Sequence, residues 1–152
     1  MALFPSKKKK DFFTPEQQER MVQAIQHAEK NTSGEVRVFV ESKCKYVDPI
    51  DRAKEIFFSL KMDKTKDRNA VLLYLALKDR QLALFADEGI YQRCGGEFWN
   101  HEVKKIIAAF TKDDYTGGIC LVVEDIGKAL KQQFPYEAAD KNELPDKIIF
   151  GN

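Results

Sequence analysis

Residues 69–89, NAVLLYLALKDRQLALFADEG, constrain the fold more than any other stretch of the chain. Residues 71–77 form an apolar run of strand length that includes Val71 and Tyr74, both at home in strands. Lys78, Asp79 and Arg80 turn the chain, and residues 82–86 make a second short run, so the stretch reads as a β-hairpin. The first run does not alternate polar and apolar residues, which calls for cover on both faces. A central strand between helical layers meets that demand. The second run stops at Asp87-Glu88-Gly89, where two carboxylates and a permissive residue follow a strand end. Chemistry, if the chain carries any, is expected there.

The flanking segments supply the layers. Thr14-Pro15-Glu16-Gln17 is a helix start, with Thr14 as cap, Pro15 in the first turn and Gln17 closing a capping box. Met21, Val22, Ile25 and Ala28 continue it at helical spacing to about residue 30. Residues 35–41 alternate with period two, Val36, Val38 and Val40 against Arg37 and Phe39, and predict a strand. Asp48-Pro49 repeats the helix-start signal for a stripe of Ile50, Ala53, Ile56, Phe57 and Leu60. A third helix is expected from about Gly96 to Thr111, with Trp99 as a core anchor beside its apolar edge.

Residues 119–123 alone would suit a buried strand. The longer series Ile119, Val122, Val123, Ile126, Leu130 and Phe134 instead predicts a helix, entered through Thr116-Gly117-Gly118 and closed before Pro135. Leu144, Ile148, Ile149 and Phe150 suggest a tail packed onto the domain. The order helix, strand, helix, strand, strand, helix, helix predicts an α/β/α sandwich around a mixed sheet of three or four strands. A right-handed crossover through residues 49–60 makes the first two strands parallel, and the hairpin adds an antiparallel one.

At 152 residues the chain holds one domain, placed at 12–150, behind a basic arm at 1–11. The arm carries Lys7 to Lys10, and setting those four aside turns the net charge of +1 into −3, which excludes a body built to grip nucleic acid. No run approaches the roughly 18 apolar residues of a membrane span, and none resembles a secretory leader. Cys44, Cys94 and Cys120 show no paired spacing and read as free thiols. A cytoplasmic monomer without an integral membrane segment is therefore expected.

Several stretches together resemble the TPM domain family, named after a plant thylakoid-lumen phosphatase-like protein, a cyanobacterial photosystem-repair protein and a worm receptor-associated membrane protein. They are Thr32-Ser33-Gly34-Glu35-Val36-Arg37, TKDRNAVLLYLAL at 65–77, Ala86-Asp87-Glu88-Gly89-Ile90, Gly96-Glu97-Phe98-Trp99, Gly117-Gly118-Ile119 and Asn142-Glu143-Leu144-Pro145-Asp146. The resemblance spans roughly residues 12–150 and implies the same α/β/α sandwich. It also implies calcium or magnesium binding at acidic loop residues, and acid phosphatase activity has been proposed for plant relatives. Many relatives carry a signal peptide and a C-terminal membrane segment, and this chain is expected to have neither.

Two readings fit the acidic positions. Glu35 at the start of the first strand, with Asp87 and Glu88 at the end of the third, offers hard oxygen donors for calcium or magnesium if the strand ends share a rim. Asp87 and Glu88 equally suit the cap of a turn or of a following helix, which needs no ion. Asp113 and Asp114 join the metal site if their turn folds toward that rim, and otherwise form a turn. Arg37 and Arg68, next to Asn69 and at family positions, would hold a phosphate oxygen in an enzyme, or pair with Glu35 or Asp67 in a scaffold. Two functions follow: a metal-binding adaptor or regulatory module with a protein partner, or a metal-dependent phosphatase acting on phosphomonoesters. The chain has no GxxxxGK[ST] cradle and no recognisable nucleophile motif, which favours the adaptor.

Overall fold

The Thr14 signal is realised in full. Its hydroxyl accepts the Gln17 N–H at 3.1 Å, while the Gln17 side chain accepts the Thr14 N–H at 2.9 Å, and helix α1 runs Pro15–Glu29. The computed structural model describes residues 12–135 and 148–151, so the basic arm, Leu144 and the 142–146 motif lie outside the described residues. Strand β1, Glu35–Glu41, follows, then α2, Pro49–Ser59, whose cap Asp48 accepts the Ile50 N–H. After a 3-10 turn at Met62–Lys64 come β2, Ala70–Ala76, and β3, Gln81–Ala86. Three helices succeed them: α3, Glu88–Cys94; α4, Gly96–Thr111; and α5, Tyr115–Gln133. A short β4, Ile148–Phe150, completes the described elements.

The sheet has the order β3-β2-β1-β4. β1 runs parallel to β2, from Glu35 opposite Ala70 to Glu41 opposite Ala76, and β2 is antiparallel to β3, with Val71 opposite Ala86. The mixed sheet expected from the crossover and hairpin is thus present. The apolar tail takes the form of a fourth strand: β4 pairs parallel with β1, Val38 opposite Ile148. All seven residues of β1 and of β2 are buried. Covering two faces of a sheet takes two helical layers, and α2 packs against Phe39, Leu72, Tyr74 and Ala83 on one side. On the other, α1, α3, α4 and α5 close over Val36, Val38, Val71, Leu73 and Leu75.

Helix α5 confirms the longer periodic series over the strand reading, with Ile119, Val122, Val123 and Ile126 fully buried. It lies so close to α1 that a side chain at Gly127 would run into Ala28. Trp99 is 5% exposed, as a core anchor should be. All three cysteines are free thiols of intermediate exposure. Among the described residues no helix is long and apolar enough to cross a membrane.

Candidate functional site

Parallel pairing puts the first residues of β1 and β2 at one end of the sheet, and antiparallel pairing brings the last residue of β3 back to the same end. Glu35, Asn69 and Asp87 therefore share a rim, with β2 between the strands that carry the two acids. Backbone bonds tie it together: Glu35 N–H donates to Asn69 C=O at 3.3 Å, and Asp87 N–H to Ala70 C=O at 2.9 Å.

Asp87, 3% exposed, caps α3 by accepting the Glu88 N–H at Oδ1, 2.9 Å away. Arg68 forks the same carboxylate, Nε to Oδ2 at 2.7 Å and Nη2 to Oδ1 at 2.8 Å. Its remaining terminal nitrogen, Nη1, lies 2.8 Å from Glu88 Oε1. Two carboxylates thus converge on one guanidinium, whose pKa Asp87 and then Glu88 raise. The sequence offers Arg68 a phosphate oxygen, Glu35 or Asp67 as partner; the partners are Asp87 and Glu88, for Arg68 sits at φ +52° and its carbonyl meets the start of α3. That carbonyl accepts the Gly89 N–H at 2.9 Å and the Ile90 N–H at 3.3 Å. Gly89 is required here, since a Cβ would strike the backbone oxygens of Asp67 and Arg68.

Behind this ion pair lies a buried amide. Asn69, 1% exposed, donates from Nδ2 to Ser33 Oγ at 3.0 Å, and Ser33 Oγ donates to Asp67 Oδ2 at 3.2 Å. Asn69 Oδ1 is buried and accepts no hydrogen bond among the described residues. Glu35 and Arg37 are each 3% exposed and share the face of β1 that carries Phe39.

Asp113 and Asp114 do not join this rim. They lie beside the β2–β3 turn, one strand length away, about 20 Å on the usual strand rise. Asp113 pairs with Arg80 at 3.3 Å, and Asp114 caps α5 by accepting the Gly117 N–H at 3.0 Å. The turn does not fold toward Asp87, because β3 ends at the rim and α4 then carries the chain back to the level of Arg80. A shallow cavity of about 180 Å³ beside Phe12, Gln17 and Asp114 marks their location. Among the described residues, no group of three or more His, Cys, Asp or Glu side chains is arranged to hold a metal ion.

The sequence reading passed over a second polar centre, at the opposite end of the sheet. Glu41, 3% exposed, is forked by Arg52 of α2, Nε and Nη2 each at 2.9 Å, and accepts the Tyr74 hydroxyl as well. Arg52 also holds Glu55 at 2.5 Å, and the Tyr46 hydroxyl donates to Glu55 at 2.6 Å. Burial, then the bond to Glu41, pushes the Tyr74 hydroxyl well above its ordinary pKa, so it stays a donor. The available signal was Glu41 itself, a charge closing a strand whose neighbours are apolar.

A family model for the TPM domain matches residues 6–129. The fold is similar to the NMR structure of BA42 protein from the psychrophilic bacterium Bizionia argentinensis, with 38% identity, coverage of 92% of this chain and 96% of that one, and a TM-score of 0.84. It is also similar to the N-terminal domain of cg2496 protein from Corynebacterium glutamicum, at 13% identity, 86% and 81% coverage and a TM-score of 0.65, a likeness of fold alone. Among curated proteins none matches the chain.

Proposed function

The chain belongs to the TPM domain family, and on that premise we propose that it is a binding module whose acidic rim takes up calcium or magnesium and presents the loaded rim to a protein partner. The observation that carries this reading is the convergence of Asp87 and Glu88 on a single positive charge, the Arg68 guanidinium, at 2.7–2.8 Å. Carboxylates already gathered around one cation are a natural starting point for exchange with another. Calcium and magnesium favour several hard oxygen donors. Asp87 and Glu88 would hold the ion, with Glu35 at the same rim and Asn69 Oδ1 as a neutral oxygen without a donor among the described residues. The Arg68 side chain is 41% exposed, so its departure uncovers little apolar surface. A bound ion supplies a fixed double charge, and the freed guanidinium becomes a feature that a partner can recognise.

The phosphatase reading asks Arg68 for a different task. Three of its nitrogens are spent on carboxylates, and a negatively charged phosphoryl group would have to approach between Asp87 and Glu88. Like charges oppose that approach unless an ion enters first.

Calcium titration followed by amide NMR tests the proposal. Signals of Glu35 and of Asp87 to Gly89 should move first, with the Arg68 side-chain N–H signal. Saturating calcium and magnesium that leave all of these in place would refute it. Metal-dependent turnover of a phosphomonoester by the same sample, lost in Asp87→Asn with Glu88→Gln, would transfer the rim to the hydrolase class.

A further inference from the structure

We propose that Glu102 and Asp125 form a proton-binding site in the seam between α4 and α5, holding one proton between them and loosening the seam when it leaves. Glu102 projects from the middle of α4 and is 2% exposed, the depth of a core leucine rather than of a helix-surface glutamate. Its Oε1 is buried and takes no hydrogen bond from any donor among the described residues. Asp125 of α5 meets the same ammonium that Glu102 does. The Lys105 ammonium bridges the pair, 3.2 Å from Glu102 Oε2 and 2.7 Å from Asp125 Oδ2.

One lysine facing two carboxylates leaves an uncancelled negative charge in the seam. Like charges this close, with one of them desolvated, do not both ionise readily. A single proton resolves both problems at once: it cancels the surplus charge and converts one carboxyl from acceptor to donor toward the other. Burial first and Asp125 second push the Glu102 carboxyl up to about 7, against the pull of Lys105. With both carboxylates on one ammonium, a proton taken up at Glu102 is felt across the seam.

The surroundings offer no other charge to take over. β3, QLALFA, contains no ionisable residue. On α3, Glu88 is held by Arg68, Arg93 donates to the Gln133 carbonyl, Tyr91 stacks on Trp99, and burial keeps the Cys94 thiol neutral. On α4 itself, Glu97, His101 and Lys104 are exposed, and on α5 Glu124 and Lys128 are exposed while Lys131 donates to the His27 carbonyl. Trp99 lies one helical turn before Glu102, buried, with its indole Nε1 also lacking an acceptor among the described residues. It is the only tryptophan in the chain.

That lone indole makes the test direct. Emission of the full chain is followed from about pH 5.5 to 8.5, the range that brackets an unperturbed histidine and the raised carboxyl. A one-proton step centred near neutrality is expected, retained in His101→Gln and absent in Glu102→Gln. A flat wild-type profile, or an unchanged step in Glu102→Gln, overturns the proposal. Should Glu102→Gln fail to fold, the side-chain carboxyl carbon of wild-type Glu102 decides by NMR: a midpoint near neutrality supports the site, and one in the ordinary glutamate range near 4.5 overturns it.

Discussion

The two ends of the sheet present the same pair of groups in different mountings. At each, a carboxylate about 3% exposed is forked by an arginine, Asp87 by Arg68 and Glu41 by Arg52. Arg52 rides on a helix, its side chain is 28% exposed, and the carboxylate it holds has the buried Tyr74 hydroxyl as a third partner. Arg68 stands in a loop with left-handed backbone, is more exposed, and shares its charge with a surface glutamate. An ion pair carried by a helix and backed by a buried hydroxyl is harder to open than one held from a loop beside solvent. Chemical composition does not distinguish the two mountings; the elements that carry the residues do.

The largest effect should come from breaking the braced end. Glu41→Ala leaves Arg52 without its main counter-charge and Tyr74 without an acceptor, and should cost about 3–5 kcal/mol in urea unfolding. A loss under about 1 kcal/mol would put the two ends on an equal footing. Glu102 sharpens the contrast by supplying a buried carboxylate that has a lysine in place of a fork. Its folded pKa is about 7 against an ordinary 4.5, so its contribution to stability is fully present below about pH 4.5 and fades as pH rises through about 7. Stability measured across that window should fall by up to about 3 kcal/mol, and the fall should vanish in Glu102→Gln. Smallest is Arg68→Gly. It relieves a left-handed backbone and opens Asp87 to water while giving up the fork, so the urea-unfolding midpoint should stay close to that of wild type. A large drop would mark Arg68 as a clamp like Arg52.

The contrast also explains what could be read from the sequence. Thr14-Pro15, Asp48-Pro49 and the 69–89 hairpin are local signals, and each produced its element. Helix α3 has no range in the sequence because seven residues span only two turns, too few to show a period, and only the reading of Asp87 as the cap of a following helix points to it. β4 is shorter still, three apolar residues whose strand character depends on finding β1. The rim was legible only as a condition on strand order, and the order β3-β2-β1 with its strand directions brings Glu35 and Asp87 to one end. Its occupant was not: the fork depends on the positive φ of Arg68, which no residue type there announces. Glu41, Arg52 and Tyr74 meet across as many as 33 positions, a distance at which spacing carries no information.

That three-residue strand bears on how the chain is made. β1 gains its partner β2 some 35 positions later, by the register of Glu35 with Ala70, but its other side is closed by Ile148–Phe150. The Val36 N–H lies outside the stretch that β4 covers and is taken by Glu29 Oε2 at 2.7 Å. During synthesis from the N-terminus, at about 5–20 residues per second, the β1 backbone from Val38 to Val40 therefore waits several seconds for its last neighbour to leave the ribosome. An unpaired edge in a growing chain invites any extended segment, including that of a neighbouring nascent copy. The final residues of the sheet act as a closing seal on biosynthesis, and crowding on a polysome is the condition under which their late arrival matters most.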